Sequence, residues 1–321
     1  MRHCLALLMI AFAALSSTPA DAEIFPDRPI HIVVPFPAGG SNDVVARFLG
    51  QKLSEICGQS VIIDNRAGAG GNVGAEFVAR SAPDGYTLLL TAPPPLAVNQ
   101  SLYPHLAFDP ATDFAPVALV ASVQIVLTVN PQVKAKTVAE LVALAKAKPG
   151  VLTFGSVGAG SLPHLCGVLF EQKAGIKLVH VPYPGSPESV TDLIAGRITL
   201  SFIVGSSIIG QIRAGQLAVL ATTGAKRASL LPDAPTMTEA GIPGFDFNLW
   251  LGLMAPAGTP QPIVTTLANA ARKAMQAPEA VDALHKLGYE PLDVGPEEFA
   301  ARIRTDVARW TAVARAAGMK S

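Results

Sequence analysis

An excess of charge of either sign is missing from this chain: 24 Lys and Arg stand against 24 Asp and Glu in 321 residues. With no basic stripe there is nothing to neutralise a phosphate backbone, which argues against a nucleic-acid partner. Cysteine is scarce, 3 in all. No Cys/His group has the spacing of metal ligands, so neither a metal nor a cofactor is expected. Past the first residues no stretch is long and apolar enough to cross a membrane, because charges, Pro or Gly interrupt every candidate. The signatures of common catalytic folds are missing too. There is no phosphate-binding loop of the G-x-x-x-x-G-K-[ST] type. Gly68-Ala69-Gly70-Gly71-Asn72-Val73-Gly74 approaches a dinucleotide fingerprint, but Val73 stands where the third glycine should fall. Ser156 is followed by Gly158 but has Phe154 where a nucleophile elbow needs glycine.

The front of the chain reads as an export signal. Arg2 and His3 form a short basic start, and Leu5 to Leu15 is an apolar run too short to span a bilayer. Ala20-Asp21-Ala22 offers small residues at the two positions a signal peptidase reads, so residues 1–22 are expected to be removed and the protein to be exported. Cys4 precedes the apolar run, which argues against a lipid anchor. Processing removes one charge of each sign, Arg2 and Asp21, and leaves two cysteines, Cys57 and Cys166. Both lie in apolar helical contexts far apart in sequence. An oxidising compartment permits a bridge, and two free thiols are the other reading.

The remainder, about 300 residues, suffices for two domains. Strands predicted at Ile30–Val34, Val61–Asp64 and Tyr86–Thr91 alternate with helices at Val44–Ile56 and Val73–Arg80. The rhythm repeats with strands at Val151–Phe154, Leu178–Val181, Thr199–Val204 and Leu217–Thr222. Helices at Leu162–Ala174 and Val190–Ala195 lie between them. A capping box, Thr137 to Glu140, opens a further helix. Such alternation predicts an α/β fold of parallel sheets flanked by helices. Pro296-Glu297-Glu298 opens a C-terminal helix whose Phe299, Ile303, Val307, Trp310 and Ala314 keep one apolar stripe. Two extended crossings, Val117–Asn130 and Phe245–Ala255, predict two lobes, a hinge and a cleft between them.

Two turns can bind an anion. Strand Ile30–Val34 runs through Pro35-Phe36-Pro37-Ala38-Gly39-Gly40 into a helix, and strand Val151–Phe154 runs through Gly155 to Ser161 into another. Unpaired N–H groups and partial positive charge gather at each helix start. Glycine permits close approach, and Ser156 and Ser161 add hydroxyls. Neither turn holds Arg or Lys before its helix, so backbone dipoles, hydroxyls and water would meet the charge. The first turn also fits an ordinary βα connection. His164 or His180 could activate a serine, and Asp43 or Asp192 could act as a base. Yet acids near helix starts are expected on electrostatic grounds, and a His there also serves as a structural residue.

Taken together, several blocks resemble the substrate-binding proteins of tripartite tricarboxylate transporters, the Bug family. They are Arg28-Pro29-Ile30, Pro35 to Gly40 with Asp43 and Arg47, Asn65-Arg66 to Gly71, Pro83 to Leu88, and Gly155-Ser156 through His164. His180 to Tyr183, Leu231 to Thr236, and Trp250 with Ala255 to Pro260 continue the series. The resemblance covers essentially the whole mature chain. It implies a monomeric, non-catalytic receptor of the type II periplasmic-binding fold, each lobe a mostly parallel sheet flanked by helices. The two lobes would close on a small organic acid and present it to integral membrane subunits of a transporter. Lobe 1 would be residues 23–122 with 250–321, and lobe 2 residues 123–249. The ligand contacts it implies are Phe36, Ala38, Gly39, Gly40, Asn42 and Asp43 on one side. On the other are Ser156, Gly158, Gly160, Ser161 and His164, with Tyr183 and Asp192 nearby.

Three departures stand out. Ala92-Pro93-Pro94-Pro95 replaces a more flexible polar stretch, and three prolines are expected to hold it extended. Pro184 stands where the family commonly carries Lys, which favours a ligand with one carboxylate and an apolar or aromatic body. Ala107 to Pro110 is a small variation expected to affect packing alone. The rival readings are a secreted hydrolase or isomerase acting on a carboxylic acid, and a ligand sensor using the same fold.

Overall fold

The computed structural model describes residues 25–319. The expected signal segment therefore lies outside the described residues. In chain order the elements are β1 (Ile30–Val34), α1 (Ser41–Cys57), β2 (Val61–Asn65), α2 (Asn72–Ala79), β3 (Thr87–Thr91), β4 (Phe114–Val123) and β5 (Ile125–Val129). Then come α3 (Val138–Ala147), β6 (Thr153–Ser156), α4 (Leu162–Ala174), β7 (Val179–Pro182), α5 (Ser186–Ile194), β8 (Leu200–Val204), α6 (Ile209–Arg213) and β9 (Ala218–Thr222). The chain ends with β10 (Leu249–Pro256), α7 (Gln261–Gln276), α8 (Pro278–Lys286), β11 (Glu290–Val294) and α9 (Pro296–Ala316).

Two sheets form, one in the order β11-β4-β10-β3-β1-β2 and the other β7-β6-β8-β5-β9. Both are mixed, which corrects the expectation of mostly parallel sheets. β1 pairs in parallel with β2 and β3, whereas β10 and β4 pair antiparallel, as do β11 and β4. In the second sheet β6 is parallel to β7 and β8, but β5 runs antiparallel to β8 and β9. The cause is the pair of crossings: a strand that enters a sheet from the other lobe arrives without a helical crossover and runs against its neighbours.

Successive side chains point to opposite faces of each sheet. Ile32, Leu88 and Leu90 therefore join α1 and α7 in one core cluster, while Val33 and Leu89 meet α2 and the start of α9 on the other face. Leu127 and Val129 pack against α3 and α4, while Val126 faces α5. The stripe on α9 is real, but it serves two cores. Phe299 and Ile303 sit in a first-sheet cluster, Trp310, Val313 and Ala314 in a second-sheet one, and Val307 touches both.

The hinge is short. Val123 pairs with Leu249 in the first sheet and Ile125 with Val204 in the second, leaving only Gln124 between. Gln124 is anchored on both edges of its amide: Nε2 donates to the Lys226 carbonyl at 2.9 Å, and Oε1 accepts from the Gly224 N–H at 3.2 Å. The returning crossing is tied to the same place, since the Phe247 N–H donates to the Thr223 carbonyl at 2.9 Å.

The proline run is not extended. Pro93 is helical (φ −51°, ψ −34°) and Pro94–Val98 form one wide helical turn. Proline fixes φ near −65°, a value shared by polyproline and by the first turn of a helix, so burial decides ψ. Leu96 enters a first-sheet core cluster and Ala97 and Val98 a second-sheet one, an arrangement only the helical turn supplies. Cys57 and Cys166 are free thiols, the first half-buried and the second buried.

Candidate functional site

The α1 end of β1 and the α4 end of β6 face one another across a cleft of about 690 Å³. Its lining joins Phe36, Pro37 and Asn42, from the turn before α1 and its first turn, to Ser156 and the segment Ala159–His164. Ser186 and Ser189 contribute a third helix start, that of α5. Gly40 caps α1 and Gly185 caps α5 without any side-chain bond, so their first-turn N–H groups stay available. Three helix N-termini thus aim partial positive charge into one space. Among the described residues no Asp, Glu, Lys or Arg lines it.

The turn after β1 is held from behind. Asp43, almost wholly buried, accepts from the Gly39 N–H at 2.8 Å and from Arg47 Nε at 2.9 Å. Arg47 also donates to Asn65, whose amide donates to the Phe36 carbonyl at 3.1 Å. Burial by itself would raise the Asp43 pKa. The hydrogen bonds from Arg47, Gly39 and Asn65, with the Arg47 charge, outweigh it and hold the carboxyl below its ordinary value. Asn42, beside it, is 7% exposed, and its Oδ1 has no partner.

The opposing turn is organised by histidines. Ser161 caps α4 by accepting the His164 N–H, while its hydroxyl donates to the Gly158 carbonyl at 2.7 Å. The Gly160 N–H donates to His164 Nδ1 at 2.9 Å, which leaves the ring proton on Nε2. His164 stacks on His180 with centroids 3.7 Å apart, and His180 Nε2 lies 2.6 Å from the Ser156 hydroxyl. Burial, then the neighbouring His180, lowers the His164 pKa to about 4, and burial lowers that of His180. Both rings are neutral at pH 7. Gly160 has φ +78°, and a Cβ there would lie 2.5 Å from Leu102 Cδ1.

Of the residues expected at the site, Phe36, Asn42, Ser156, Gly160, Ser161 and His164 line the cleft. Ala38, Gly39 and Gly40 are exposed beside it, and Asp43 stands behind the turn. Gly158 supplies a carbonyl to the serines. Tyr183 donates to Asp192 at 2.8 Å, and Arg197 donates to the other oxygen of Asp192 at 2.7 Å, so these side chains are engaged with each other. Burial and that carboxylate push Tyr183 up to about 12, while Arg197 and Tyr183 hold Asp192 below its ordinary value.

Sequence reasoning missed Gly70, Asn99, Leu102 and Tyr103, which line the cleft. Nothing local marks the last three, because the helical turn at the prolines brings them in, and Asn99 then donates to the Gly70 carbonyl at 3.0 Å. It also missed Ser186 and Ser189, although Gly185-Ser186-Pro187 carries a helix-start signature. Phe202 and Ile203, towards the end of β8, follow the rule that ligands gather at carboxyl ends of strands. A wider concavity of about 920 Å³ lies along β9 and residues 230–235, but one lobe builds it, so closure cannot act on it.

Two α/β lobes joined by two short crossings, with an uncharged cleft ringed by helix starts, define a solute-binding protein. The chain belongs to the tripartite tricarboxylate transporter family receptors, whose family match spans residues 45–319. Protein BugT of Bordetella pertussis is 38% identical over 314 residues, 98% of this chain and 96% of that one. The solved structure of R. palustris Rpa4515 with adipate is similar at 37% identity and TM-score 0.83, covering 92% of this chain and 99% of that one. MatC from Rhodopseudomonas palustris with bound malate is similar at 31% identity and TM-score 0.78, covering 90% and 99%. Members of the family are periplasmic binding proteins, not enzymes.

Proposed function

We propose that this protein captures a small organic carboxylate between its lobes and delivers it to the membrane subunits of a tripartite tricarboxylate-type transporter. The observation that carries the reading is the convergence of three helix starts from both lobes on one uncharged cleft. The adipate and malate held by its relatives support it. Phe36, Asn42, Ser156, Gly160, Ser161 and His164 contact the ligand. Ala38, Gly39, Gly40 and Asp43 shape the first turn; Gly158, Tyr183 and Asp192 shape the second lobe. Residues 23–122 with 250–321 move as one body against 123–249, and the ligand selects the closed state by touching both. Export with cleavage after Ala22 and a monomeric state complete the reading.

Native mass spectrometry of protein purified from its source tests this directly. A carboxylic acid released intact on denaturation is the expected result. Release of a conversion product, or no acid bound and no melting shift across a carboxylate panel, would overturn it.

A further inference from the structure

Leu102 reaches the cleft at the end of a braced path. The prolines fix the backbone that enters the turn Pro94–Val98, and the short turn Asn99–Ser101 follows it directly. The Asn99 carbonyl accepts from the N–H groups of both Leu102 and Tyr103, at 3.0 and 2.9 Å. Asn99, 3% exposed, is itself tied down: its Nδ2 donates to the Gly70 carbonyl at 3.0 Å and to Asn72 Oδ1 at 2.6 Å. Ser101 is joined to α9 through Thr311, with the two hydroxyl oxygens 2.8 Å apart. The backbone that carries Leu102 is therefore fixed to the Gly70 loop on one side and to α9 on the other.

The side chain uses that support to fill the space over Gly160. Its Cγ and both Cδ atoms lie between 2.5 and 3.4 Å from the place a Cβ of Gly160 would take. Gly160 belongs to the turn that opens α4, with Ser161 and His164 beside it in the lining. A carboxylate oxygen accepts an N–H at about 2.9 Å, so an acid held at that turn has its first carbons next to Leu102. Hydrocarbon packed this closely yields little. A bulkier neighbour fits only if the side chain leaves its rotamer or the backbone shifts. Here the backbone is the part that is braced.

On the receptor reading above, we propose that Leu102 is a specificity-determining residue that admits an unbranched chain next to the ligand's carboxylate and refuses a branched or cyclic one. It acts by volume alone, since a leucine side chain has no group to bond the ligand.

Isothermal titration with two matched pairs reads that limit: hexanoate against cyclohexanecarboxylate, and adipate against cyclohexane-1,4-dicarboxylate. The parent is expected to bind the better straight-chain acid about tenfold more tightly than its cyclic counterpart. Leu102→Ala should narrow that ratio to about threefold or less, while Leu102→Met, close in volume, should keep it. Leu102→Val should narrow it part of the way, which keeps the trend readable even where alanine lowers stability. Cyclic acids bound by the parent as tightly as straight ones, or a ratio that alanine and valine both leave unmoved, would overturn the inference while leaving the receptor reading in place. Binding of none of the acids by the parent would overturn both.

Discussion

Gly160 and His164 share one turn, and each makes a separate demand on it. Gly160 sits at φ +78°, where any side chain is strained, and its missing Cβ leaves room for Leu102. Gly160→Val is expected to abolish acid binding and, through the strained φ, to cost about 1–3 kcal/mol in urea unfolding while circular dichroism still shows a folded chain; unchanged affinity would remove this turn from the cradle. His164 predicts a pH dependence. Its folded pKa, about 4, lies below the 6.5 of an exposed imidazole, so protons bind the unfolded chain first. Stability is therefore fully present above pH 6.5 and is lost as pH falls towards 4, on the order of 3 kcal/mol for this group. His180 shifts in the same direction. Urea unfolding at pH 7 and pH 4.5 measures the slope, and His164→Gln should flatten it while still accepting the Gly160 N–H.

Among the elements, α1 shows how a helix start is kept open for a ligand. Gly40 gives it no side-chain cap, and the Asp43 carboxylate in its first turn is directed back to the Gly39 N–H and to Arg47. The acid therefore braces the loop and does not fill the anion position. Arg47 is more than half exposed, so solvent screens the ion pair and the bond to Gly39 carries most of its worth. Asp43→Asn should cost about 1–2 kcal/mol of stability. It should also weaken ligand binding severalfold, as thermal unfolding and titration would report. Full affinity with lower stability would limit Asp43 to a purely structural role. Helix α9 has the opposite character, since its value lies in packing. Trp310, 1% exposed, stacks edge-on against Phe247 in the second-sheet core, while Phe299 meets Trp250 in the first. Trp310→Ala is expected to cost about 3–5 kcal/mol. A loss below 1 kcal/mol in urea would show that the helix merely rests on the second lobe.

At the scale of the molecule, a single-residue link at Gln124 and a second crossing beside it leave little freedom except a change in the angle between sheets. Helix α9 and the turn at Pro94–Val98 reach into both cores, so opening must slide these contacts as well as bend the hinge. A ligand touching both lobes stabilises the closed arrangement by its contacts to the second lobe. Small-angle scattering should show the radius of gyration falling when a bound acid is added, and a profile unchanged at saturation would exclude closure.

Much of the fold was legible in local pattern. β1 and α4 match their predicted spans residue for residue, because a buried five-residue strand and a Ser-capped helix are set by neighbours in sequence. β11 escaped: Glu290-Pro291-Leu292-Asp293-Val294 carries acids and a proline, tolerable on an edge strand whose outer side has no partner. At the site, the two glycine-rich turns could be read because a strand running into a helix through Gly and Pro permits few geometries. Leu102, Tyr103 and Ser189 could not, since they reach the cleft only when separate segments fold together. The sequence by itself determined the elements and the anion-ready turns, through local conformational preference and burial period. Tertiary structure alone decided that the turns face one another, that the sheets are mixed and that α9 spans both cores, because those follow from long-range pairing and packing.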